Sequence, residues 1–244
     1  MMPPFDRFGL VAAVLYTGNA ERARLLDAEM RRVGAEGYLP VWQFPTPYDA
    51  VIRSRVRCTA GMSKPGYFSS GLGHYRAVKT ALCLGADSVL VVEDDVRFPR
   101  DAERLARGLA DAPEGYDVLL LDSFRADDVP PETVLRAAHE GRHGSTCWCR
   151  AWPSPLSFAC YAMSRRAMEW WTGEFERPCA DRATPLRVAD RYLDARRIPP
   201  DLSVWFAHPN LAVQRALGAS NSRGRQGFDA HYESVGVRME DYAC

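Results

Sequence analysis

The chain opens with an unbroken apolar run, residues 9–16 (GLVAAVLY), the pattern of a parallel strand covered on both faces. Asn19 then stands as a helix N-cap. Leu26, Met30 and Val33 recur at i, i+4 and i+7 before Gly34, which predicts a helix over 20–33. Residues 38–44 (YLPVWQF) predict a second strand, and Pro40 places it at a sheet edge. A helix over 71–84, a strongly β-prone run at 88–92 (SVLVV), a helix over 101–110 and a buried strand at 117–121 (DVLLL) follow. Strands and helices in alternation predict an α/β fold with a mostly parallel central sheet flanked by helices. Beyond residue 122 the periodicity weakens. Residues 125–156 are rich in Pro, Gly, Ser, Cys and Trp and read as loop with short elements. Order resumes at 157–163 (SFACYAM), and Ser164 caps a short helix bearing Met168, Trp170 and Trp171. A helix over 186–196 and a strand at 203–207 (SVWFA) precede the turn-rich stretch 217–229.

Composition narrows this picture. At 244 residues, with 47% hydrophobic and 25% charged positions, the chain can bury a large core, and disorder, collagen and coiled coil are excluded. Lys+Arg and Asp+Glu both number 31, so no bulk charge points to nucleic acid or an anionic membrane. No run reaches the roughly 18 apolar residues of a membrane span. The run at 9–16 has the length of a signal h-region, but Asp6 and Arg7 cancel and no small-x-small site follows before Glu21. The seven cysteines form an odd set without a disulfide-scaffold spacing, so reduced thiols and a cytoplasmic location are expected. Cys147 and Cys149, with Cys160 or Cys179, carry only a weak zinc signal, to which His139 and His143 add little. Trp148 and Trp152 read as core filling ahead of ring stacking.

The sharpest chemistry is Glu93-Asp94-Asp95, directly after the hydrophobic run that ends in Val91-Val92. Ligands of open α/β sheets bind beyond the carboxyl ends of strands. Three acids there repel each other unless a cation compensates, and a divalent metal is the economical cation. If the strand continues, Glu93 and Asp95 share a face and Asp94 takes the other, so Glu93 and Asp95 are the expected pair. The competing reading is a solvated acidic turn partnered by Arg97 and Arg100.

With VLVVEDDVRF at 89–98, the chain resembles glycosyltransferase family 25, which has a Glu-Asp-Asp triplet after a hydrophobic strand. Gly73-His74-Tyr75-Arg76-Ala77-Val78-Lys79 is similar to the family's Ser-His-Leu-x-Ala-Trp-Lys at His74, Ala77 and Lys79, and departs from it at Gly73 and Val78. Ala20-Glu21-Arg22, the stretch 159–167, Ala189-Asp190-Arg191-Tyr192-Leu193 and Pro209–Gln214 resemble further family motifs in family order. The family's Asn-Leu-Asp after the first strand is replaced by Leu15-Tyr16-Thr17.

The resemblance implies a GT-A fold, a nucleotide-sugar donor, UDP-hexose foremost, Mn²⁺ or Mg²⁺, and inverting transfer of the sugar to an acceptor hydroxyl on a glycan. Lipopolysaccharide synthesis is the implied setting. One domain is expected over 1–216, with a nucleotide-sugar half to about residue 122 and an acceptor half beyond it, and the turn-rich segment over 217–244, with Arg223 and Arg225, is expected to be flexible, as a lid over the phosphates or as a solvated C-terminal segment. Within that frame Asp95 is the expected direct metal ligand. Glu93 binds the ribose or a metal-bound water, and His208 is a candidate third ligand or else a packed turn histidine. Asp190 is the expected general base, with a helix-surface acid as the alternative. Asp122 is a second catalytic candidate or a turn cap. Arg22, His74, Lys79 and Asp94 complete the expected donor site, each with a purely structural alternative. A non-catalytic nucleotide-sugar or glycan-binding module, a transferase acting on a protein or a modified nucleic-acid base, and a nucleotidyltransferase remain as other readings.

Overall fold

A computed structural model of the chain describes residues 4–16, 19–43, 65–125, 130–143, 148–150, 155–181, 183–187, 189–193, 197–215, 230 and 232–242. The elements run β1 (Leu10–Tyr16), α1 (Ala20–Arg32), β2 (Leu39–Gln43), α2 (Pro65–Cys83), β3 (Ser88–Glu93), β4 (Val96–Arg97), α3 (Ala102–Ala110), β5 (Val118–Leu120), β6 (Phe124–Arg125), α4 (Pro131–Glu140), β7 (Arg142–His143), β8 (Trp148–Arg150), β9 (Pro155–Leu156), β10 (Cys160–Ser164), α5 (Arg165–Ala180), β11 (Val204–Ala207) and β12 (Val213–Gln214). The main sheet has the order β2-β1-β3-β10-β5-β11-β8-β7. β1 pairs in parallel with β2 and β3, and β5 with β11, while β10 and β8 run against their neighbours. The sheet is therefore mixed but mostly parallel in strand direction, in a single α/β body as the alternation implied.

The apolar runs explain the layering. In β3, Val89 and Val91 face one layer and Leu90 and Val92 the other, all four with no exposed surface. The first layer holds Ala77, Val78 and Ala81 of α2 with Met168 and Trp171 of α5. The second holds Leu26 and Met30 of α1 with Leu105 and Leu109 of α3. A strand buried on both faces has no polar positions to alternate with, so it reads as a continuous hydrophobic run. Caps act where the sequence pointed: Asn19 accepts from the Arg22 backbone N–H at 3.2 Å, and Ser164 from that of Ala167 at 3.2 Å.

The connectivity creates a crevice. From β1 the chain passes through α1 on one face to β2, then returns through α2 on the opposite face to β3 on the other side of β1. The carboxyl ends of β1 and β3 thus flank a topological switch point, where ligands of open α/β sheets bind.

Several expectations are corrected. α2 begins at Pro65, before the predicted residue 71. The expected loop over 125–156 contains α4, started by Pro131 at N1 with Val134 and Ala138 buried. The predicted helix over 186–196 reduces, among the described residues, to a 3-10 turn at Ala189–Leu193. The segment expected to be flexible from 217 onward contributes Tyr232, Val235, Val237 and Tyr242 to the core, while residues 216–229 lie outside the described residues. Trp148 is fully buried and donates from Nε1 to the Gly108 carbonyl at 2.6 Å, so it fills the core; Trp152 lies outside the described residues.

Candidate functional site

Strand β3 stops at Glu93, and Asp94 and Asp95 form the turn that leads into β4. That stop decides the geometry. Glu93 still obeys the strand alternation and points to the α2 side, where His74 Nε2 lies 2.8 Å from its Oε1. Asp94 stays on the α1 side with Leu90 and Val92, whereas the turn releases Asp95 from the alternation, so that both meet Arg22 at the start of α1. Arg22 Nη2 is 2.5 Å from Asp94 Oδ1 and 2.7 Å from Asp95 Oδ2. The expected pairing of Glu93 with Asp95 is therefore replaced by Asp94 with Asp95, because the turn rather than a continued strand sets the direction of Asp95.

Each acid has its own environment. Glu93 is held on Oε1 by His74 and by the Ser70 hydroxyl at 3.5 Å, and on Oε2 by the Gln214 side-chain amide at 3.2 Å. Burial pushes the Glu93 carboxyl up, but the hydrogen bond and charge of His74 and the charge of Arg22 outweigh it and hold the group below its usual range. Asp94 accepts the Tyr16 backbone N–H at 2.7 Å, which ties the triplet to the end of β1. Burial nevertheless leaves Asp94 above its ordinary value despite Arg22. Asp95 is pushed up to about 8 by burial and by the charges of Glu93, Asp94 and Asp122, against the pull of Arg22. Its Oδ1 is buried and has no hydrogen-bond partner.

A strand from far along the chain closes this end. β12 pairs antiparallel with β4, Gln214 opposite Val96, which brings the Gln214 amide over Glu93. The Arg215 N–H donates to the Asp95 carbonyl at 2.5 Å. Behind them Asp122 is fully buried. It accepts from the Ser157 hydroxyl in a short contact, from Tyr232 Oη at 2.6 Å and from Asn210 Nδ2 at 3.4 Å. Tyr232 Oη also accepts from the Gln214 N–H at 3.0 Å, so the C-terminal segment is wired to the acid cluster.

The expected residues thus separate. Arg22, Glu93, Asp94 and Asp95 meet at the switch point. His74 is brought there too, but with 1% of its surface exposed and both ring nitrogens engaged, by Glu93 and by Tyr161 Oη at 3.2 Å, it positions Glu93 and cannot meet a diphosphate. Asp122 has no exposed surface and is the hub of the Ser157, Tyr232 and Asn210 hydrogen bonds. Lys79 turns away to Glu176 of α5 at 2.8 Å, beside Tyr75, because it lies more than a helical turn beyond His74 on the outer face of α2. His208 is half-buried beside the C-terminal segment, its Cε1 3.9 Å from where a side chain on Gly236 would begin. Among the described residues no three His, Cys, Asp or Glu side chains are grouped to hold an ion; Cys147 and the His143 side chain, which the weak zinc reading needs, lie outside them. The Asp190 backbone sits in the 3-10 turn, and its side chain lies outside the described residues. The sequence reading missed Gln214 as a partner of Glu93, Tyr16 as the backbone anchor of Asp94, and Tyr232 as the donor to Asp122. Gln214 closes the motif-like stretch Pro209–Gln214, but no pattern names the partners, which lie 121, 78 and 110 residues away.

No helix among the described residues is long and apolar enough to cross a membrane. No protein-family model and no curated protein matches the sequence. Among solved structures the chain is similar to a glycosyltransferase involved in the glycosylation of the major capsid of PBCV-1, at 13% identity over 92% of this chain and 98% of that one, with a TM-score of 0.42. It is similar to mannose-1-phosphate geranyltransferase from Thermus thermophilus at 19% identity over 81% and 73%, with a TM-score of 0.39. It is also similar to apo mouse xyloside xylosyltransferase 1 at 11% identity over 81% and 83%, with a TM-score of 0.38. Likenesses this distant carry no argument about activity, which rests on the site itself.

Proposed function

We propose that the chain is a metal-dependent glycosyltransferase of GT-A type that moves a hexose from a nucleotide sugar, UDP-hexose foremost, to a hydroxyl of a glycan or similar acceptor with inversion. The observation that carries this reading is the placement of three consecutive carboxylates at the switch point between β1 and β3. The residues present fit a hard dication. Asp95 Oδ1 is a buried oxygen without a partner, and burial, with the charges of the neighbouring carboxylates, pushes Asp95 up to about 8. Mg²⁺ and its like take one or two carboxylates and complete their shell with water and phosphate oxygens, so a three-residue protein cage is not required. Asp95 would hold the ion with Asp94 beside it. Once bound, such an ion supplies positive charge at the departing diphosphate.

The chain's own groups perform the remaining work. Glu93, one-fifth exposed and fixed by His74 and Gln214, presents its carboxylate to the crevice and binds ribose hydroxyls. Asp190 is the proposed base: the acceptor oxygen bonds to the anomeric carbon, the carbon–oxygen bond to the diphosphate breaks with its electron pair, and the hydroxyl proton passes to the Asp190 carboxylate. A base of this kind is worth about 10²- to 10⁴-fold in rate.

The test is a thermal-shift panel of nucleoside diphosphates with and without Mn²⁺, together with hydrolysis of UDP-hexoses. Stabilisation by UDP that needs Mn²⁺, lost in Asp95→Asn, together with slow donor hydrolysis, is the expected result. UDP binding without turnover of any donor would make the chain a binding module. No Mn²⁺-dependent shift with any nucleotide would remove the metal from the reading.

A further inference from the structure

Arg22 makes an unusual contact for an arginine. Guanidinium groups commonly meet a carboxylate through a two-nitrogen fork. Here one nitrogen, Nη2, serves two different carboxylates, Asp94 Oδ1 at 2.5 Å and Asp95 Oδ2 at 2.7 Å, in the manner of a point cation lodged between them. The Arg22 Nε, for its part, is buried and makes no hydrogen bond. The backbone, in contrast, is anchored, because the Arg22 N–H is held by the Asn19 cap at the start of α1. A long side chain on a fixed stem, with an unsatisfied Nε, can leave the acids without disturbing the helix. The oxygen that Arg22 does not reach, Asp95 Oδ1, is the buried acceptor without a partner.

We infer that Arg22 is a resident counter-ion in the dication position, and that a dication on Asp94 and Asp95 and the Arg22 bridge exclude one another. The inference rests on the dication reading above. In the metal-free chain Arg22 neutralises part of the acid cluster and keeps the turn after β3 in shape. When a dication takes the two carboxylates, the guanidinium is released into the crevice with all its donors free, suited to the oxygens of a nucleoside diphosphate. Other charges face the same turn: Glu93 lies within Coulombic reach of Arg22, and Arg215 is joined through its backbone to Asp95 and through its guanidinium to Glu29 at 3.6 Å. Arg215 therefore stays engaged when Arg22 leaves.

The experiment is calorimetric titration of the intact chain with Mn²⁺ alone, comparing the parent with Arg22→Met and Arg22→Lys, each checked for folding by circular dichroism. Removing a competing unit charge at contact distance should tighten Mn²⁺ binding at least about tenfold in Arg22→Met. Arg22→Lys should fall between the two, since it keeps the charge but has a shorter reach and a single nitrogen. Equal or weaker binding in Arg22→Met, with the parent binding, overturns the inference and leaves the metal reading standing. Absence of binding in every protein overturns both. Should Arg22→Met fail to fold, the unmodified chain decides by NMR. Mg²⁺ should shift the Arg22 Nε–H signal and speed its exchange with water, and an unchanged signal at saturating Mg²⁺ overturns the inference.

Discussion

Asp122→Asn separates a structural hub from a group that must ionise. The parent carboxyl is fully buried, and its pKa is lifted from 3.8 to about 7 by burial first and by the charge of Glu93, against the pull of the Ser157, Tyr232 and Asn210 hydrogen bonds. The folded chain therefore holds the Asp122 proton more tightly than the unfolded chain does. As pH rises past the unfolded value, the unfolded state sheds that proton first, so this group subtracts stability progressively until pH passes its folded value. Each pH unit between the two values costs about 1.4 kcal/mol, which amounts to about 3 kcal/mol between pH 5 and pH 8. Asparagine cannot titrate. It keeps the shape, and the Ser157 and Tyr232 hydroxyls can each rotate to donate or accept. The substitution carries a fixed cost from altered hydrogen bonds, on the order of 1–2 kcal/mol. The difference between variant and parent should nonetheless move in the variant's favour by about 3 kcal/mol across that pH interval. Urea unfolding followed by tryptophan fluorescence at pH 5, 6.5 and 8, in EDTA and at constant ionic strength, reads it directly. A stability difference that does not change with pH would refute the reasoning, because it would mean that Asp122 is ionised in the folded chain throughout.

Other consequences of the geometry are equally open to measurement. Tyr232→Phe removes one donor from Asp122 and the acceptor of the Gln214 N–H, and should cost about 1–3 kcal/mol in urea unfolding. Its cost should be larger at pH 8, where Asp122 is charged. Gly73→Ser should destabilise by about 1–3 kcal/mol, since a Cβ there would lie 2.8 Å from Val14 Cγ1, a stiff β-branched neighbour on β1. His74→Ala leaves Glu93 without its main partner on a buried face and should both lower the melting temperature and weaken UDP binding, whereas Lys79→Ala, which removes only an exposed pair with Glu176, should leave UDP binding unchanged in the same thermal-shift assay. Trp148→Ala should cost about 3–5 kcal/mol, as expected for emptying a fully buried indole site.

Much of the frame was legible in the chain because burial leaves a local signature. A strand covered on both faces must be apolar at every position, and the runs at 9–16, 88–92 and 117–121 are largely so; the helices α1 and α5 announced themselves through Asn19 and Ser164, which satisfy amides only a few residues away. α4 stayed hidden because a surface helix with only Val134 and Ala138 buried leaves too thin a stripe to stand out among prolines and glycines. The acid triplet was likewise visible, since three carboxylates after a hydrophobic run need no partner to be noticed.

What those carboxylates do was decided by residues far along the chain. The insertion of β10 antiparallel between β3 and β5, the arrival of β12 beside β4, and the folding of Tyr232 onto Asp122 are choices among distant partners. No periodicity encodes them, because a strand's pattern tells which face is buried and not which strand lies next to it. The turn at Asp94 depends on where β3 loses its neighbours, and that turn brings Asp95 beside Asp94 at Arg22, while the strand itself holds Glu93 at His74. Local sequence sets backbone periodicity through short-range sterics and burial, while the pairing of charges across the crevice follows from packing the whole sheet.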